Sequence, residues 1–158
     1  MPDSNPAHPP SGPAPGRPLT RERRTELLAA AEAGELIALA DECLAGRPEP
    51  VVLVPPEVGC VVTQVREPIL GQRFLLGDVL SCRAEVELDG VRGWAMRLGE
   101  DRAAVLAAAV LDAAAQRGPG PAALVDELCR QVAERIERQD EQEWGELMPT
   151  IVRFEELR

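Results

Sequence analysis

Lysine is missing from this chain of 158 residues, and all 17 of its basic residues are arginine. That excludes Schiff-base catalysis by lysine and a Walker-type phosphate loop. Tyrosine is absent too, and serine occurs only as Ser4, Ser11 and Ser81. The one histidine, His8, sits in a proline-rich stretch, so the usual general base and metal ligand are missing from the rest of the chain. A self-contained hydrolase triad is hard to assemble from what remains. No apolar run approaches the roughly 18 residues that span a bilayer. The N-terminus lacks the basic-then-apolar pattern of a secretory signal, so a cytoplasmic location is expected.

Acids outnumber bases by 27 to 17, a formal charge of −10. With no concentrated basic patch, this balance disfavours nucleic acid and anionic membranes as partners. The four cysteines, Cys43, Cys60, Cys82 and Cys129, form no C-x-x-C pair and no zinc or iron–sulfur ligand pattern. They are expected to be small buried apolar residues.

Residues 1–18 hold seven prolines and almost nothing large and apolar, which predicts a disordered tail before a single domain over 19–158. Thr20 is positioned to cap a first helix ending at Gly34, and a second helix follows to Gly46. In the second, Leu36, Ile37, Ala40, Cys43 and Leu44 share one face. VVLV (51–54) reads as a short strand stopped by Pro55-Pro56, and GCVVTQVR (59–66) as another. Pro68 and Gly71 mark a turn. Phe74 to Leu88 reads as extended, with a bulge or bend at Gly77-Asp78.

Asp89-Gly90 between alternating patterns is a two-residue hairpin signal. It sets Leu88 opposite Val91, Glu87 opposite Arg92, Glu85 opposite Trp94 and Arg83 opposite Met96. It also places Arg97 opposite Cys82 on the apolar face, so either the hairpin frays there or Arg97 reaches past the sheet. Asp101 or Glu100 is expected to cap an alanine-rich helix closed by Gly118. A last long helix carries Leu124, Leu128, Val132 and Ile136 as a stripe. Met148 to Phe154 reads as a short extended segment flanked by Trp144 and Phe154, which are expected in the core, the alternative being an arm that lies on a partner. The order, five short strands between two helical pairs, gives an α+β fold with an antiparallel sheet.

The hairpin's polar face carries Arg83, Glu85, Glu87 and Arg92, with Trp94 and Met96 among them. Three readings compete: a solvated sheet face, an interface anchored by tryptophan and arginine, and an anion site built from Arg73, Arg83 and Arg102.

The longer run decides among them. Gly71, Arg73, Phe74, Gly77, Asp78, Arg83, Ala84 and Val86, continuing to Gly93-Trp94, Gly99 and Asp101-Arg102, resemble the G-subunit family of carbon–phosphorus lyase. PTIVRFEEL (149–157) resembles that family's closing segment, and the likeness covers about residues 20–158. Relatives often carry threonine where Ser81-Cys82 precede Arg83, so those two side chains receive no role.

The resemblance implies an accessory subunit used in bacterial phosphonate catabolism. It implies a core complex with H, I and J subunits, in which this chain meets the I subunit most directly. With H, I and an L subunit, such a chain is needed to displace adenine from ATP by an alkylphosphonate. Iron–sulfur and S-adenosylmethionine chemistry would belong to J, and this chain alone would bind no cofactor. Arg73, Phe74, Asp78, Arg83, Glu85, Trp94 and Arg102 are the candidates that organise the strip or meet a partner. The alternatives are a free-standing binder of anionic ligands and a homodimeric interaction module.

Overall fold

The computed structural model describes residues 18–67 and 69–147. The expected proline-rich tail, His8, Pro68 and the extended segment from Met148 to Phe154 lie outside them, apart from Pro18. Helices α1 (Arg21–Ala30) and α2 (Ala33–Leu44) precede strands β1 (Val51–Arg66), β2 (Arg73–Leu88) and β3 (Val91–Leu98); α3 (Arg102–Gln116) and α4 (Pro119–Leu147) follow. The strands form one antiparallel sheet in the order β1-β2-β3, giving the expected α+β architecture.

Helix α3 lies at the centre. Eleven of its fifteen residues are buried, ten of them Ala, Val or Leu, as befits a helix surrounded on all sides. Its alanines let the sheet come close. A methyl group at Gly93 would stand 2.2 Å from the Ala109 carbonyl oxygen and 2.4 Å from the Ala113 nitrogen. Inward-facing Cys82, Ala84, Val86 and Leu88 pack on this helix layer together with Leu27, Leu28, Leu36, Val125 and Val132. Asp101 caps α3, its Oδ1 accepting from the Ala104 nitrogen at 2.9 Å. Thr20 caps α1 in the same way.

The β2–β3 register is the one the Asp-Gly turn implied, from Leu88↔Val91 through Arg83↔Met96 to Cys82↔Arg97. Asp89 and Gly90 both take positive φ, 49° and 80°, as this tight turn requires. The hairpin does not fray at Arg97. Its guanidinium crosses to the end of α1 and donates to the Leu28 and Ala31 carbonyl oxygens at 2.5 and 2.7 Å. Those carbonyls lack partners within their own helix, so the cation completes them; burial pulls its pKa below the usual arginine value.

Several expectations are corrected. Among the described residues there are three strands rather than the five short ones expected. Pro55-Pro56 does not end β1, because β1 is an edge strand whose outer N–H groups have no ladder partner to lose. Register shifts between Val52 and Glu57 absorb the irregularity. The bulge or bend expected near Gly77 is present as a register shift, Thr63↔Gly77 to Gln64↔Leu75, within a continuous β2. Gly34 does not close α1; it lies in the first turn of α2, where the Glu35 carboxylate accepts from the Glu32 nitrogen at 3.2 Å.

On α4 the buried stripe is Val125, Leu128, Cys129, Val132 and Ala133, rotated from the expected one, so Leu124 and Ile136 are exposed. The rotation brings Asp126 inward to meet Arg24 of α1 at 2.6 Å, with the Leu19 nitrogen also donating to it. Trp144 is exposed on the outer part of α4, beyond the last buried residue, Ala133. Ile37 is exposed, and Cys43 and Leu44 are half-buried. Cys82 and Cys129 are buried as expected, but Cys60 is exposed.

Candidate interaction surface

The outer face of the sheet, away from α3, carries the residues of the hairpin's polar side. Arg83 on β2 reaches Glu57 on β1, Nη2 to Oε2 at 3.2 Å, and Arg92 stands 3.8 Å from Glu87 across the turn. Both pairs are open to solvent and so hold little energy, a few tenths of a kcal/mol up to about 1 each. Glu85 is half-buried between Val54 and Trp94. Trp94 remains 43% exposed with Met96 beside it, and the two border a groove against Arg21, Thr25 and Ala29 of α1.

The free edge of β3 is closed by side chains. The Trp94 backbone N–H donates to Asp112 Oδ2 at 3.1 Å. The Arg92 carbonyl accepts from Arg21 Nη2 and Gln116 Nε2 at 3.4 and 3.1 Å. Asp112, 1% exposed, also takes Arg21 Nε and Nη2 at 3.2 and 2.7 Å, and this hydrogen-bonded pairing holds the Arg21 pKa above its usual value. These bonds occupy the Arg92 carbonyl and the Trp94 N–H, two of the outward main-chain groups that a further strand on β3 would need.

The opposite end of the sheet differs. β3 stops at Leu98, opposite Ser81, while β1 and β2 run on as a two-stranded arm over residues 59–66 and 73–80. Arg73 lies at the far end opposite Arg66, Phe74 opposite Val65 and Asp78 opposite Val62. Glu67 secures the turn at the tip by accepting from the Ile69 and Leu70 nitrogens, which lowers its own pKa. The apolar residues here are wet: Ile69 is 87% exposed, Leu70 75%, Leu75 62% and Leu76 60%, with Leu98 at 77% beside the arm's root. Partners opposite one another share a face. Val61, Val79, Val65 and Phe74 therefore lie on one side, and Leu80, Val62 and Leu75 on the other.

These placements separate the candidates into two groups. Arg83, Glu85 and Trp94 belong to the outer sheet face; Arg73, Phe74 and Asp78 belong to the arm. Arg73 and Arg83 are ten residues apart on one strand, about 30 Å. Arg102 opens α3 beyond its cap and is exposed. The three arginines thus form no common clamp.

The apolar arm went unread in the sequence, although a signal is there. Ile69-Leu70 and Leu75-Leu76 are adjacent apolar pairs in a strand context, and adjacency puts apolar groups on both faces of a ribbon. Among the described residues, no group of three or more His, Cys, Asp or Glu could hold a metal ion, and no helix is long and apolar enough to cross a membrane.

Residues 19–158 match the family described as phosphonate metabolism protein PhnG. The chain is also similar to the alpha-D-ribose 1-methylphosphonate 5-triphosphate synthase subunit PhnG of Rhizobium meliloti (strain 1021). The two are 35% identical over 135 residues, covering 85% of each chain.

Proposed function

Because the chain belongs to the phosphonate metabolism protein PhnG family, we propose that it is an accessory subunit of the synthase that transfers the ribose triphosphate moiety of ATP to an alkylphosphonate. Adenine is the leaving group. The observation that carries this reading is the similarity, along most of both chains, to a relative that is itself named as a synthase subunit. A large exposed apolar arm supports it, because monomers seldom leave such a surface uncovered.

In this reading the chain supplies no complete active site and binds no cofactor by itself. It works in the cytoplasm, meeting the I subunit most directly within a core that includes H and J, and acting with the L subunit. Iron–sulfur and S-adenosylmethionine chemistry belongs to J. The lack of lysine and tyrosine, with the one histidine at His8, suits a part whose work is assembly.

The test is adenine release from ATP and methylphosphonate by purified H, I and L subunits, with and without this chain. The reading expects release to depend on the chain, and expects the chain alone to yield none. Full release without it, or tight binding of ATP by the lone chain, would favour a free-standing binder.

A further inference from the structure

Among the described residues, no further strand or helix covers either face or either edge of the arm. In an antiparallel ribbon, alternate residues of β2 point their N–H and C=O groups away from β1, with one step in the alternation at the register shift beside Gly77. Over residues 81–88 those groups meet β3, and the Gly99 nitrogen donates to the Leu80 carbonyl at 2.9 Å. The chain then turns into α3, so the slot beside residues 73–79 of β2 continues the line of β3, and no strand among the described residues fills it. A two-stranded ribbon with no third strand and no helix over it is marginal in water. Main-chain groups in need of partners, flanked by apolar side chains on both faces, ask for an extended segment.

We propose that this slot receives a β-strand from a companion subunit of the synthase, extending the sheet along residues 73–79; the inference rests on the subunit reading above. Charge sets the character of that strand. The arm carries two arginines and two acids, Arg66, Glu67, Arg73 and Asp78, and is neutral within a chain of net charge −10. An apolar strand therefore fits it, with an acid opposite Arg73 and a base opposite Asp78. A second copy of this chain fits less well: pairing edge to edge would satisfy the main chain yet leave both apolar faces of each arm in water. The other two edges are poorer sites. On β3 the Trp94 N–H and the Arg92 carbonyl are already taken by Asp112, Arg21 and Gln116, and β1 is interrupted before the arm by Pro55-Pro56.

The experiment is amide hydrogen exchange on the full chain alone and co-purified with the I subunit, repeated with Leu76→Lys. The proposal expects the outward amides of residues 73–79 to exchange rapidly in the lone chain and at least tenfold more slowly in the complex. Leu76→Lys should cut recovery of the complex at least tenfold without moving the lone chain's urea midpoint, because a charge on an open edge blocks pairing but costs a wet site little. A complex that forms with these amides unprotected, or that tolerates Leu76→Lys, overturns the proposal and leaves the subunit reading intact. Protection already present in the lone chain also overturns it, and the native mass then tells a second copy from a self-contact. Failure of the wild-type chain to join the I subunit at all counts against both.

Discussion

Gly93 is the residue on which the packing of sheet against helix turns. Gly93→Ala would drive a methyl group into the backbone of α3, where no flexible side chain can give way. A loss of about 3 kcal/mol in chemical denaturation is expected, the upper range for overpacking. The arginines divide by burial in the same way. Arg24 and Asp126 are 11% and 7% exposed, so Arg24→Ala strands a buried carboxylate and should cost about 3 kcal/mol. Arg83→Ala removes an exposed partner of Glu57 and should cost less than about 1 kcal/mol. Equal losses from the two variants would contradict this assignment. The cysteines offer a second check. Burial pushes the Cys129 thiol up to about 12, so at neutral pH it is protonated as well as enclosed. A maleimide should label exposed Cys60 rapidly, and Cys82 and Cys129 only after unfolding.

Between elements, α2 and α4 are joined by Glu35 and Arg135, which meet through two bonds of 2.9 Å. The guanidinium holds the Glu35 carboxyl below the usual glutamate range, so the folded state binds fewer protons than the unfolded one there. The stabilisation is present above an ordinary glutamate pKa of about 4.3 and is lost as the pH falls through the lowered folded value. The urea midpoints of wild type and Glu35→Gln should therefore differ by a constant amount above pH ~5 and converge below it. A difference that grows on acidification would refute the pairing. Elements governed by local rules were legible in the sequence: the Asp-Gly hairpin and its register, the Thr20 and Asp101 caps, and the alanine-rich central helix. Elements governed by tertiary context were not. Pro55-Pro56 reads as a break until β1 is known to be an edge strand, and the stripe of α4 is rotated by a salt bridge to α1 about a hundred residues away in sequence. The candidate surface was half legible. Alternation placed Trp94 and Arg83 on the outer face and the Asp101 cap implied that β3 stops before it, but nothing local said that Phe74 and Leu76 would stay exposed.

As a whole, the molecule is a helix-backed sheet with one finished end and one unfinished end. At the finished end Arg21 of α1 and Asp112 and Gln116 of α3 bind the edge of β3; at the other, apolar β1 and β2 run on with no cover among the described residues. A free-standing monomer gains nothing from such an arm, whereas a subunit uses it to find its place. The central claim is therefore assembly, and the most direct measurement is the native mass of this chain after co-expression with the I subunit from the same source. The account predicts a stoichiometric hetero-oligomer of the two chains. A monodisperse chain of 17.1 kDa that ignores the I subunit would contradict it.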